Sequence, residues 1–319
     1  MPYHQITPAE RYTLGVLRKQ GLSNAAIARM LGRHRSTIGR ELRRNSRQDG
    51  GYRPDVAQEK TNGRRRRSRR NSQFGGGEWK LIETLVREKF SPEQISGWLK
   101  LLELLEISHE TIYRRIRRDR KRGGTLWQHL RQRVRYRKSY GTREKRGRLA
   151  GKRHITERPR EAESRKKIGH WEMDLIVGAP DQHCMVTLVE RATGVTLIGK
   201  LRCRKAAAVN KRVIDVILSH EGLFKTITVD NGPEFHSYED IERATGVTIY
   251  FATPYASWER GTNENTNGLI RQYVPKRTSM KRLTQHRCDA IARALNNRPR
   301  KRHGFRTPLD CLADQFAIA

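Results

Sequence analysis

The chain has 319 residues, enough for two or three domains with cores of their own at about 100 to 200 residues each. Its 67 Lys and Arg against 33 Asp and Glu give a formal charge of +34, no run approaches the ~18 apolar residues of a membrane span, and MPYHQITPAER lacks an apolar signal core, so the expectation is a soluble, cytoplasmic protein whose partner is nucleic acid rather than a membrane. Four cysteines without a CxxC pair and eleven histidines without HxxxH spacing argue against a disulfide framework and against a zinc module.

Thr7-Pro8-Ala9-Glu10 reads as a capping box with proline at the first helical position, opening a helix that Gly21 stops. Ser23 caps a second short helix, Gly32 breaks the chain, and Arg35 to Arg44 form a third with Ile38 and Leu42 inward. Three short helices around a glycine-bounded turn make a helix-turn-helix at 1–47. The third helix turns His34, Arg35, Ser36, Thr37, Arg40, Arg43 and Arg44 outward, the mixture that reaches base edges and phosphates in a major groove, although a solvated basic face has the same composition.

Residues 48–76, with RRRRSRR and GGG, read as a charge-repelled basic linker. The helical pattern then recurs at 77–120. Ser91-Pro92-Glu93-Gln94 is another capping box, and Ser108 to Ile116 parallels Ser36-Thr37-Ile38 and its basic sequel, which makes His109 and Arg114 the equivalent DNA contacts of a second helix-turn-helix-like unit; an internal helical spacer is the alternative. Residues 121–163 read as a second basic connector. Basic residues outnumber acidic ones by 45 to 17 over 1–167 and by only 22 to 16 over 168–319, so the first half looks like the binder and the second like a domain that must also keep carboxylates. Binding through many phosphates is strong and salt-sensitive, with log K falling by about 0.9 per contact per log unit of salt.

From 164 to 319 the texture becomes α/β. HWEMDLIVG, Cys184–Arg191 and Val195–Arg202 read as strands with a Thr193-Gly194 turn, Ala206–Ser219 as a helix, and Thr226–Val229 as a buried strand ending at Asp230-Asn231-Gly232. Strand, hairpin, helix, strand is the order of an RNase H-like core. Asp174 within the first strand and Asp230 at the end of the fourth would then share one sheet edge. Glu264 follows Asp230 with 33 residues between and opens a helix on which Asn267, Gly268 and Arg271 share its face. A lone strand-end Asp is more often a turn residue, and a Glu in a first turn often serves the helix dipole. Order, spacing and neighbours together favour a triad.

GHWEMDLIVG, TVDNGPEF, ATPYASWERGTNENTNGLIRQYVPK and LNNRPRKRHGFRTP resemble the successive catalytic motifs of bacterial DDE transposases of the insertion-sequence-30 family, and STIGRELRRN with GGYRPDVAQ resembles its N-terminal helix-turn-helix. The resemblance spans nearly the whole chain and departs from the family at Met173, where glycine is usual, and at the variable Pro233. Met173 alternates away from Asp174 and is expected to affect packing on the other face. The resemblance implies an all-α helix-turn-helix region followed by an integrase-like catalytic core in the bacterial cytoplasm, associated with the nucleoid. It implies a catalytic and metal-binding triad at Asp174, Asp230 and Glu264, with Asp174 bridging two Mg²⁺ or Mn²⁺ ions; hard carboxylate oxygens suit both. Arg271 would face DNA, and Glu172, Asn231, Asn263 and Asn265 would support the site. The partners implied are double-stranded DNA, both element ends and target, and further copies of the chain in a dimer or larger assembly. The competing function is a sequence-specific DNA-binding regulator whose RNase H-like domain is inactive and serves for dimerisation.

Overall fold

The computed structural model describes residues 5–70, 74–131, 151–254 and 256–317, in two units, Met1–Gly76 and Gly77–Ala319. In the first unit α1 (Pro8–Lys19), α2 (Asn24–Met30) and α3 (Arg35–Asn45) follow the caps. The Thr7 hydroxyl accepts from the Glu10 amide at 3.2 Å while the Glu10 carboxylate accepts from the Thr7 amide at 2.7 Å. Leu14, Leu17, Ile27, Ala28 and Ile38 close the core.

The linker expected at 48–76 is corrected. Pro54–Arg70 is a helix, α4, and it is anchored: Tyr52 and Ala57 are buried in the same core, and Gly15 is close enough to Pro54 that a Cβ would come within 2.7 Å of its ring. A buried ion pair completes the unit. Arg11 donates to both Glu41 carboxylate oxygens, at 2.7 and 3.3 Å, and to Gln58 of α4 at 2.7 Å, while the Tyr52 hydroxyl donates to Glu41 at 3.1 Å. Burial and the Glu41 charge push the Tyr52 phenol up. The arginine run at the end of α4 extends a helix whose first turns are held by this packing, so charge repulsion there does not have to be overcome by local propensity alone.

The second unit begins with α5 (Gly76–Arg87), α6 (Pro92–Leu101) and α7 (His109–Lys121), packed through Ile82, Leu85, Val86, Ile95, Leu99, Ile112 and Ile116. The structure differs here from the expected division at 120 and 163, because these helices belong to one unit with the sheet domain. Gly97 lies against the Phe305 ring, Gln94 donates to the Pro299 carbonyl at 2.7 Å, and Glu93 pairs with Lys301 at 2.6 Å. Of the connector expected at 121–163, residues 132–150 lie outside the described residues. Its remainder reaches the sheet through a bridge between His154 and Phe251, and carries α8 (Arg160–Ser164).

The sheet runs β3-β2-β1-β4-β5, with β1 (His170–Val177), β2 (Cys184–Glu190) and β3 (Thr196–Leu201) antiparallel and β4 (Thr226–Val229) and β5 (Thr248–Phe251) parallel to β1. This is the RNase H-like α/β order read from the sequence, with α9 (Ala206–Leu218) where a helix was expected. Missed were α10 (Tyr238–Thr245) and β5, because SYEDIERAT offers a single large aliphatic side chain, Ile241, and β5 has only four residues. Side chains alternate across the sheet. Trp171 and Met173 join Val209, Val213 and Ile241 beneath α9 and α10, so Met173 sits on the face away from Asp174 as expected. Glu172, Asp174 and Ile176 face the other layer, formed by α11 (Gly261–Ile270) and α12 (Gln285–Asn296), where Leu269, Ile270, Ile291 and Leu295 are buried. Each fully buried Leu or Ile contributes about 1.5 to 3 kcal/mol. The chain ends in α13 (Pro308–Ala317). Among the described residues no helix is long and apolar enough to cross a membrane.

Candidate active site

Strand order brings the first two acids together. β1 and β4 are parallel neighbours with Glu172 opposite Thr228, so two further residues along each chain set Asp174 beside Asp230. Asp230 is held by its own turn, accepting from the Gly232 amide at 3.0 Å, and Asn231 ties that turn to the end of β5 by donating to the Ala252 carbonyl at 2.7 Å. A Cβ at position 232 would meet the Glu234 carboxylate at 2.7 to 2.8 Å, so the glycine lets Glu234 fold against the turn.

One cation spans the pair. The Arg260 guanidinium lies 3.7 Å from an Asp174 oxygen and 3.4 Å from an Asp230 oxygen, and donates to the Met173 carbonyl at 3.1 Å. Asp174 also accepts from the Leu175 amide at 2.9 Å and from the Asn267 side chain at 2.7 Å. Burial pushes its carboxyl above the usual range; Arg260 opposes the shift, and the charges of Asp230 and Glu234 add to it. Two partly buried carboxylates side by side call for a positive charge between them.

Helix α11 is docked by a carboxylate on the same strand face as Asp174 whose oxygens are taken by other partners. Glu172, fully buried, is 2.6 Å from Arg191 and accepts the Asn263 amide at 2.9 Å, which satisfies one of the free N–H groups at the start of α11. The Thr187 hydroxyl of β2 is within 3.1 to 3.2 Å of the Asn263 and Asn267 side-chain oxygens. This network sets Asn267 on Asp174. Glu264, one turn earlier on α11, is exposed. Among the described residues no three His, Cys, Asp or Glu side chains group closely enough to hold a metal ion, so the three acids of the expected triad are not gathered into one cluster. Glu259, in the same segment, instead fastens its loop by accepting from the Thr253 amide and hydroxyl at 2.8 and 2.9 Å.

Comparison with known proteins adds the decisive observation. Residues 2–45 match the helix-turn-helix domain family and residues 164–257 match the integrase core domain family. The transposase of insertion sequence IS4351 from Bacteroides fragilis is 40% identical over 95% of this chain and 94% of its own length. Transposase InsI of IS30A from Escherichia coli K12 is 38% identical over 98% of this chain and 84% of its own. The chain belongs to the insertion-sequence-30 family of transposases.

In this transposase Arg35, Arg40, Arg43 and Arg44 are exposed along α3 and Thr37 is half-buried, whereas the Ser36 hydroxyl is 2.8 Å from Nδ1 of His34, which caps the helix. Arg40 and Arg44 share a cavity of about 260 Å³ with Arg64 and Arg65 of α4, a basic extension that the linker reading hid. On α7, Arg114 is exposed and His109 meets Tyr113 edge to face. Arg271 is half-buried and donates to the Val177 and Pro275 carbonyls at 3.1 and 3.4 Å, so it fastens the end of β1 to the segment after α11. Asn265 accepts from Arg131 at 2.9 Å. Sequence reasoning missed Arg260 and the Asn267 contact. Both lie in the motif it quoted, but their partners on β1 and β4 are 30 to 93 residues away along the chain.

Proposed function

We propose that this transposase binds the terminal inverted repeats of its element through α1–α3 and cleaves and joins DNA strands at Asp174 and Asp230, with Glu264 completing the acidic set. The observation that carries the reading is the single guanidinium bridging the two carboxylates across neighbouring strands. The two carboxylates that hold this cation between them are hard oxygen donors of the kind a divalent cation takes, so Asp174 and Asp230 are the residues that would hold Mg²⁺ or Mn²⁺. Bound there, two such ions would supply Lewis-acid stabilisation at phosphorus and a nucleophile at neutral pH. Asn267 orients Asp174, Glu172 fixes the start of α11, and Asn231 fixes the turn that presents Asp230. Glu264 stands on the helix that Asn267 docks against Asp174, one turn before Asn267. Arg260 offsets part of the charge of the pair and competes with a metal ion for the same carboxylate oxygens. Two element ends have to be held together, which favours a dimer or larger assembly on DNA.

The test is incubation of purified protein with end-containing DNA and Mg²⁺ or Mn²⁺, comparing wild type with Asp174→Asn, Asp230→Asn and Glu264→Gln. The expected result is cutting and joining by wild type, and end binding without cutting by all three variants. Failure of the wild type to cut cognate ends with ions present would favour the regulator. Cutting by Glu264→Gln at the wild-type rate would remove Glu264 from the set.

A further inference from the structure

A second charged feature lies on another flank of α11. A cavity of about 440 Å³ is bordered by six basic side chains, Arg131, Arg165, Arg298, Arg300, Lys301 and Arg302, together with Gly261, Thr262, Asn265 and Thr266 of α11. One acid, Glu93, also borders it, and it is taken by Lys301 at 2.6 Å. Among the described residues no carboxylate is ion-paired with Arg298, Arg300 or Arg302. Their hydrogen bonds go to neutral acceptors instead. Arg298, 2% exposed, donates to the side-chain carbonyls of Gln94 and Gln272, both at 2.8 Å. Arg300 donates to the Leu295 carbonyl at 3.2 Å, Arg302 to a ring nitrogen of His303 at 2.9 Å, and Arg131 to Asn265.

Desolvated guanidinium groups without counter-charges are costly, and this chain elsewhere pairs them: Arg11 with Glu41, Arg191 with Glu172. Here neutral amides hold several of them at fixed angles around an open space. Burial pushes Arg298 and Arg300 down to about 10, with Arg298, Arg302 and Arg131 pressing on Arg300. Gly194, at φ +81°, leaves room for Arg302, since a Cβ there would be 2.8 Å from its guanidinium. An anion would supply the counter-charge these groups do not have within the protein, and the planar fork of arginine matches phosphate oxygens two at a time.

Resting on the transposase reading above, we infer that this cavity is a phosphodiester-binding site that anchors a DNA strand along α11, beside the Asp174 and Asp230 pair. The exposed Arg165, Lys301 and Arg302 form its mouth, through which a backbone can pass, while Arg298 and Arg300 form its floor. The same ten-residue helix carries Thr262 and Asn265 into the cavity and Asn267 onto Asp174, so a phosphate seated here fixes the strand relative to the reacting carboxylates. The strand is either an element end or the target, and the chemistry recognised is the same.

The test is the salt dependence of DNA binding by the full chain without divalent ions, so that no strand is cut. An end-containing duplex and an unrelated duplex are titrated at several salt concentrations with wild type, the double variant Arg300→Gln/Arg302→Gln, and Arg302→Lys. Loss of one phosphate contact makes the slope of log K against log salt shallower by about 0.9, whereas Arg302→Lys keeps the wild-type slope. A change confined to end-containing DNA assigns the strand to the element end, and an equal change on both duplexes assigns the site to any duplex, target included. Unchanged slopes on both duplexes overturn the inference and leave the cluster as a brace between α6 and the C-terminal segment. If circular dichroism shows the double variant unfolded, Arg165→Gln at the exposed mouth takes its place, with the same expected change and the same overturning result. Failure of wild type to cut ends with Mg²⁺ bears on the proposed reaction and leaves this slope measurement standing.

Discussion

Replacing Glu172 with glutamine separates the residue that seats α11 from the residue proposed to act in the reaction. Glu172 is fully buried and holds Arg191, itself 5% exposed, at 2.6 Å and the Asn263 amide at 2.9 Å. A glutamine of the same size can accept from one of these donors but presents its own N–H₂ to the other, and Arg191 then has only neutral acceptors, the Ala162 carbonyl at 3.0 Å among them. Removing one partner of a buried pair costs about 3 to 5 kcal/mol. For a unit the size of 77–319, at roughly 2 to 4 °C per kcal/mol, the melting temperature should fall by about 6 to 20 °C. Glu264→Gln, on an exposed side chain, should stay within ~0.5 kcal/mol of wild type yet abolish end cutting. The double variant Glu172→Leu/Arg191→Met should recover most of the stability, because a buried pair is replaced by apolar groups, but not the activity, since the Asn263 amide is left without its acceptor. Thermal melts followed by circular dichroism, run beside end-cutting assays, give both quantities. A Glu172→Gln protein that melts with wild type, or a Glu264→Gln protein that melts far below it, would refute the division of roles.

Arg260→Ala should tighten Mn²⁺ binding, read by the disappearance of free-ion paramagnetic resonance, by about tenfold or more, because a charge near 4 Å from a carboxylate is worth up to ~4 kcal/mol in a partly solvated site; unchanged Mn²⁺ affinity would mean that Arg260 and the metal do not compete. In the first unit the Arg33 hydrogen bond is the main cause that lowers the Glu10 carboxyl from 4.5 to about 2. A lowered folded-state value stabilises above the unfolded one, so this contribution is complete above about pH 4.5 and is lost as pH falls toward 2, and the protection of the α1 amides, taken as exchange relative to the intrinsic rate at each pH, should fall over that window in wild type but not in Glu10→Gln. Gly97→Ala should destabilise the second unit by about 1 to 3 kcal/mol in urea unfolding, since its Cβ would fall 2.3 to 2.4 Å from the Phe305 ring and α6 would have to move off the C-terminal segment.

Local pattern was enough where local pattern decides the structure. The caps at Thr7, Ser23 and Ser91, the four strands through Val229 and the helix at 206–218 follow from alternation, periodicity and turn residues, and the meeting of Asp174 with Asp230 follows from strand order alone. What stayed hidden depends on partners far along the chain. Alternation placed Glu172 on the face of Asp174, but nothing in HWEMDLIVG announces that Arg191 and the start of α11 consume it. The linker reading of 48–76 failed because its composition is that of a solvated segment, while three contacts near its beginning, through Tyr52, Ala57 and Gln58, hold the helix in place.

The charge count misled in a more general way. A balance of +34 treats each arginine as surface available to DNA, yet Arg11, Arg158, Arg191 and Arg298 are buried and Arg260 lies between two carboxylates. Buried arginines in this chain divide by what faces them. Arg11 and Arg191 face carboxylates at hydrogen-bond distance, and Arg260 faces two more at slightly longer range; these three are accounted for within the protein. Arg298 and Arg300 face amides and carbonyls only. A folded protein keeps an uncompensated buried charge at the cost of several kcal/mol unless a ligand offsets it. The functional weight of the basic excess therefore rests less on the number of arginines than on which of them the protein leaves without a carboxylate, and in the second unit those gather beside the helix that carries Glu264 and Asn267.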